Sequence, residues 1–211
     1  MLTRKNANQE TGSIILKTRI FSLAGRVIVG LVLILSVPVK GQIYRIGGGL
    51  SFASGTEFNS GETGNPGLKI KTWITLDKRQ TIHIVPSISV YNPYKLEKAY
   101  LTLTNYMFHG DLDGQYTFFQ EGTLKVAGFA GANFTYLVSD YEQLVDLGKE
   151  VLSDATDFSV GANVGGCLEM RMGPRWDFNV SGKYLFSKYD HFIISVEGVY
   201  YFRSRRRTYR R

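Results

Sequence analysis

The sequence predicts an all-β protein, an eight-stranded antiparallel up-and-down transmembrane β-barrel. Three observations carry that expectation. Apolar and polar residues alternate with period 2 in eight successive segments, and period 2 is the period of a strand's two faces. Aromatics are abundant (13 Tyr, 13 Phe, 2 Trp) and Gly reaches 23 against 5 Pro, a mixture that suits strands. One face of each segment is almost free of charge, while the other carries acids and bases in near balance.

The segments run at approximately 44–54, 67–77, 80–91, 100–118, 123–137, 158–171, 175–186 and 191–202. In the second, Leu68, Ile70, Thr72, Ile74 and Leu76 oppose Lys69, Lys71, Trp73 and Thr75. In the third, Ile82, Ile84, Ile88 and Val90 oppose His83, Ser87 and Ser89. The fourth, "NYMFHGDLDGQYTFF", sets Tyr106, Phe108, Leu112, Tyr116 and Phe118 against Asn105, His109, Asp111, Asp113 and Gln115. Asp113-Gly114 is a hairpin signal, yet parity runs unbroken across it, so a continuous strand is expected. The sixth sets Phe158, Val160, Val164, Leu168 and Met170 against Ser159, Asn163, Glu169 and Arg171. In the seventh, Trp176, Phe178, Val180, Tyr184 and Phe186 oppose Asp177, Asn179, Ser181 and Lys183. The last, "FIISVEGVYYF", opposes Phe192, Ile194, Val196, Tyr200 and Phe202 to Ser195 and Glu197. Tight links are expected at 78–79, 119–122 and 173–175, and longer polar loops at 55–66, 92–99 and 138–157, with 187–190 short. Short turns at one end and long loops at the other mark a membrane barrel.

Period 2 alone does not say which face is inside, and a lipocalin-type soluble barrel shares it. Charge favours the membrane arrangement. The polar face carries Arg45, Lys69, Lys71, Lys125, Arg171 and Lys183 against Asp111, Asp113, Glu169, Asp177 and Glu197. Such a set suits a narrow lumen knitted by ion pairs, and the uncharged face suits lipid. Tyr44, Phe118, Trp176, Tyr200 and Phe202 near segment ends suit interfacial girdles. Eight strands leave an interior that side chains fill, so a wide pore is not expected.

The flanks differ from the barrel. Residues 1–41 hold six Lys/Arg and one acid, with an eleven-residue apolar stretch from Val27 to Val37. That is the form of a cleaved secretory signal, too short to span a bilayer. The chain thus divides into a signal peptide (1–41), the barrel (42–202) and a basic tail (203–211). The whole chain has net charge +7, but 42–202 hold 13 basic and 17 acidic residues. Basicity therefore belongs to the ends, and a nucleic-acid-binding domain is not expected. Cys167 is the single cysteine, which excludes an intramolecular disulfide and a cysteine-based zinc site.

His109, Asp111 and Asp113 stand at i, i+2 and i+4 on the lumen face, about 6.8 Å apart per step. Neighbours at that spacing do not bond directly. The expected lumen network comprises Lys69, Lys71, His83, His109, Asp111, Asp113, Lys125, Glu169, Arg171, Asp177, Lys183 and Glu197. No nucleophile motif accompanies it, so no catalytic residue is assigned. A metal site at His109 requires ligands from other strands, with His83 and Glu169 the obvious donors, and no metal or cofactor is assigned. Loop 138–157 carries six acids and one Lys, and Tyr141, Leu144, Val145, Val151 and Leu152 suit one face of a short helix.

The leader, the eight alternating segments and the ending of "FIISVEGVYYF" on Phe202 resemble the small OmpA/OmpX-type outer-membrane barrels, closest to the Bacteroidetes outer-membrane β-barrel domain group. The basic tail after Phe202 departs from that pattern, and no peptidoglycan-binding domain follows. The resemblance implies an outer-membrane location, contact with membrane lipid and a structural or interaction role: adhesion, envelope integrity or membership of an envelope assembly. An envelope protein partner would meet the loops or the tail. The alternatives are an outer-membrane enzyme acting on lipid or peptide and a narrow channel for ions or small solutes.

Overall fold

A computed structural model describes residues 43–54, 65–98, 101–143 and 155–202. Eight strands follow one another as β1 (Ile43–Ser54), β2 (Asn65–Thr75), β3 (Ile82–Lys98), β4 (Leu101–Glu121), β5 (Leu124–Gln143), β6 (Ala155–Arg171), β7 (Trp176–Phe186) and β8 (His191–Tyr201). Each pairs antiparallel with the next, and β8 pairs back onto β1 from Arg45↔Tyr201 to Ser54↔Phe192. Closure leaves no open edge around the barrel wall, which hydrocarbon requires because it offers backbone groups no partner.

The two faces of every strand separate as the alternation predicts. Leu68 is 66% exposed and Ile70 55%, while Lys69 between them is 4% exposed. The same inversion runs around the wall, with Leu112, Phe158, Val160 and Ile194 outside and Asp111, Asp113, Ser159 and Ser195 inside. An uninterrupted apolar outer surface around a charged interior is inside-out for water. The soluble-barrel alternative therefore falls, and the chain is a membrane barrel. Within the described residues no helix is long and apolar enough to cross a membrane, so the strands do the crossing.

Strand boundaries depart from expectation on the loop side. β3 continues to Lys98 and β4 begins at Leu101, so most of the loop expected at 92–99 is paired strand. β5 likewise runs to Gln143, and β6 starts at Ala155. Hydrogen bonding between β3, β4 and β5 continues where lipid burial no longer selects the residues, and alternation fades there. Asp113-Gly114 lies within unbroken β4, paired to Gly131 and Ala130. The ends of the loop expected at 138–157 are strand, at 138–143 and 155–157, and Leu144, Val145, Val151 and Leu152, which suit one face of a short helix, lie outside the described residues. So do the leader and the basic tail.

At the opposite end the links are short. Asp77 shapes the first, accepting hydrogen bonds from the backbone N–H groups of Arg79, Thr81 and Ile82 and from the Thr81 hydroxyl. This turn occupies 76–81, wider than the two-residue Lys78-Arg79 link expected. β4 and β5 are joined by Gly122-Thr123, with Gly122 at φ 56°, the left-handed region that glycine enters without penalty. Two bulges revise side-chain directions. The register shift between Thr117 and Phe119 leaves both Phe118 and Phe119 on the outer surface. A second, between Ile43 and Arg45, turns Tyr44 from the expected girdle toward the lumen, where its hydroxyl meets His83 Nε2 at 2.7 Å.

Candidate functional site

Among the described residues, most buried chemistry-bearing side chains converge in the lumen, where they form three levels. At the short-turn end Trp73, Val85, Val199 and Tyr201 make a buried apolar cluster, with Tyr44 packed against it. The Arg45 guanidinium lies 4.1 Å from the Trp73 ring centre and 5.3 and 5.6 Å from those of Tyr44 and Tyr201. Arginine's flat, weakly hydrated cation suits such stacking.

Arg45 is also one of two cations on Glu169. It forms an ion pair with one carboxylate oxygen, while Lys125 Nζ lies 2.5 Å from the other. Lys125 is 3.9 Å from Asp177. The Tyr201 hydroxyl completes the group, 2.9 Å from Glu169, 2.6 Å from Asp177 and 2.9 Å from Arg45. Five strands are thereby tied together by one node.

Deeper in, Lys71 pairs with Glu197, which also accepts a hydrogen bond from Asn179 Nδ2 at 2.7 Å. Lys183 pairs with Asp111 at 2.5 Å. Asp111 accepts further bonds from the Ser87 hydroxyl at 2.8 Å and Asn133 Nδ2 at 2.9 Å. Lys69 and Asp113 are buried, and among the described residues neither has an ion-pair partner within 4 Å. They line, with Lys71, Gln115 and Ser181, a void of about 10 Å³, roughly the space one water needs.

At the loop end a second apolar cluster closes the barrel: Ala53, Tyr91, Met107, Leu185 and Ile193, with Leu137 and Tyr189 against it. His109 and His191 sit at this level, their ring centres 4.9 Å apart, and Tyr91 stands edge-on to His109 at 5.3 Å. The interior is thus an ionic middle between two hydrophobic stoppers.

Of the residues expected in the network, Lys71, Asp111, Lys125, Glu169, Asp177, Lys183 and Glu197 do form ion pairs. His83 and His109 lie in the lumen but at opposite levels: His83 beside Tyr44 at the turn end, His109 at the loop end. His83 and Glu169 therefore do not join His109 in a common metal site, and no three His, Cys, Asp or Glu converge on a point among the described residues. Arg171 is half-buried at the rim, opposite Asp177 in the ladder, without an ion-pair partner among the described residues. Asn133 links what spacing separated: its amide lies 2.9 Å from Asp111 and 3.3 Å from His109 Nδ1.

Sequence reasoning placed Arg45 on the polar face without seeing it as a hub, and missed Tyr201, Asn133 and His191. Parity held a signal for two of these, since His191 and Tyr201 share the face of Ser195 and Glu197. A Tyr or His on a lumen face differs little from one in a girdle until its partners are known.

The fold and its inside-out polarity define a class, the small eight-stranded barrels of bacterial outer membranes. Among solved structures the chain is similar to OprG of Pseudomonas aeruginosa, with TM-score 0.56 and 11% identity over 79% of this chain and 100% of that one. It is similar also to Neisserial surface protein A, with TM-score 0.54 and 15% identity over 74% and 94%. A third is Ail, the attachment invasion locus protein of Yersinia pestis, with TM-score 0.51 and 11% identity over 76% and 99%. No protein-family model and no curated protein matches the sequence. At such identities the barrel itself is what is shared.

Proposed function

We propose that this is an outer-membrane barrel that works by binding an envelope or surface partner outside the bilayer, with the ion pairs of its lumen holding the wall together. The observation that carries this reading is the overhang of β3, β4 and β5. These strands are 17, 21 and 20 residues long, whereas about 9–11 suffice to cross a bilayer. The excess lies on the loop side, and a transmembrane scaffold has no use for it. The overhanging β3–β4 hairpin, paired from Tyr94↔Asn105 to Lys98↔Leu101, carries extended backbone outside the bilayer for such a partner.

The filled lumen supports the same reading against a channel. Apolar clusters at both levels and five ion pairs between or beside them occupy the lumen along the described residues. An enzyme acting on lipid or peptide would need a nucleophile open to its substrate, whereas the hydroxyls that meet His109 and Asp111, those of Thr135 and Ser87, are buried.

The test replaces residues 94–104 with a two-residue Asn-Gly turn. The shortened barrel should still insert and show heat-modifiable migration, while site-specific crosslinks made from the overhang in native membranes disappear along with the binding phenotype. Retention of binding by the shortened barrel would refute the assignment.

A further inference from the structure

The histidine pair at the loop end has a chemistry that the lumen's structural role does not use. His191 Nδ1 lies 2.6 Å from the Tyr189 carbonyl oxygen. A carbonyl only accepts, so Nδ1 carries the proton and Nε2 is the lone-pair nitrogen of the neutral ring. Around His109 the neighbours fit either tautomer. The Thr135 hydroxyl donates to Asn133 Oδ1 at 3.0 Å, which uses its one proton. Thr135 Oγ1, 3.1 Å from His109 Nδ1, accepts from that nitrogen in the tautomer that carries the proton there, whereas Asn133 Nδ2, 3.3 Å away, donates to it in the other. Asn133 meanwhile donates to Asp111 at 2.9 Å. His109 Nε2 is buried and without a hydrogen-bond partner, and a metal ion there would select the Nδ1-protonated tautomer, which leaves it a lone pair.

Two buried imidazoles then present lone pairs at one level of the lumen, and lone pairs alone do not bind each other. Their Nδ1–H groups are each anchored to an oxygen, the outer-shell arrangement that orients histidines as metal ligands. A ring-centre separation of 4.9 Å is short enough for one ion, at the usual metal–imidazole bond of about 2.0–2.1 Å, to reach both. The surroundings select the kind of ion. The cluster holds the thioether of Met107, a soft donor, and otherwise aliphatic or aromatic groups. Asp111 is already paired with Lys183 and Asp190 is exposed and accepts from the Ser187 backbone N–H, so a divalent cation would enter with little charge compensation and too few ligands. Imidazole and thioether donors in a dry pocket favour a monovalent soft ion content with few ligands.

We propose that His109 and His191 bind one copper(I) ion through their Nε2 atoms, with Met107 as the third donor at hand in the loop-end stopper.

The full chain, purified from membranes and kept reduced, is titrated with copper(I) against a competing chelator. Cys167→Ser forms the background throughout, because Cys167 is the lone thiol. One ion per barrel is expected, with His109→Gln and His191→Gln each lowering affinity at least tenfold and Met107→Leu lowering it severalfold. His83→Gln, at the other end, should change nothing. Heat-modifiable migration verifies that each variant is folded, and either histidine variant suffices if the other fails to fold. Copper-edge absorption should show two nitrogen ligands. The inference is overturned if the folded background barrel takes up no copper, if a folded histidine variant binds as tightly, if His83→Gln lowers binding equally, or if zinc binds more tightly than copper(I).

Discussion

Glu169 shows how much one residue carries in this lumen. Arg45 and Lys125 both rest on it, and Tyr201 connects it to Asp177. Glu169→Gln leaves two buried cations with a shortage of anion, and the expected loss is about 3–5 kcal/mol, measured by urea unfolding of the barrel in lipid vesicles. The Lys71–Glu197 pair allows a sharper comparison. Lys71→Met alone strands Glu197 and should cost a similar amount, whereas Lys71→Met with Glu197→Met removes both charges and should recover most of it. A double variant no better than the single would show that the pair is not a local unit. Asp77 gives a pH dependence outside the membrane. The Ile82 backbone N–H, followed by the Thr81 hydroxyl and the Thr81 and Arg79 backbone donors, holds its carboxyl below the ordinary value of 3.8. A carboxyl depressed in the folded state stabilises above its unfolded value and loses that contribution as pH falls through the folded one. Asp77→Asn should therefore weaken the barrel near neutrality and flatten its acid sensitivity below about pH 4, as seen in unfolding midpoints across pH.

At the scale of the strand, glycines mark where two backbones approach. A Cβ on Gly131 would stand 2.2 Å from the Leu112 carbonyl oxygen and 2.7 Å from the Asp113 Cα. Gly131→Ala must push β4 and β5 apart, with an expected cost of about 1–3 kcal/mol. Gly110, on the same β4 ladder, faces nothing within 4 Å, and Gly110→Ala should stay within about 0.5 kcal/mol of wild type. Unfolding midpoints of the two variants check the contrast. Much of the wall was legible because lipid and lumen impose opposite demands on alternate residues, as Leu68, Lys69 and Ile70 show. The strand ends were less so. Once β3 and β5 leave the bilayer neither demand applies, and Asn92-Pro93 and Ser139-Asp140 look like loop although they lie in strands. Bulges hide for another reason: one extra residue at Tyr44 or Phe118 reverses facing without leaving a mark in composition. The site was half legible, since parity names who shares the lumen but not which strand's Lys meets which strand's Asp.

For the molecule as a whole, the two stoppers and the ionic middle predict electrical silence. Barrels incorporated in planar bilayers should show no steady conductance, and proteoliposomes should not swell in small sugars. Reproducible open channels would contradict a lumen closed by Trp73 and Tyr201 at one end and Leu185 and Ile193 at the other. The seam between first and last strands has a bearing on assembly. Glu197, on β8, reaches past β1 to Lys71 on β2, and Tyr201 meets Arg45 on β1. A seven-stranded precursor would hold Lys71 without Glu197 and Arg45 without the Tyr201 hydroxyl, in surroundings that punish such gaps. The final strand therefore works as a latch fastened from within, making a nearly finished barrel far less comfortable than a finished one and giving insertion a direction.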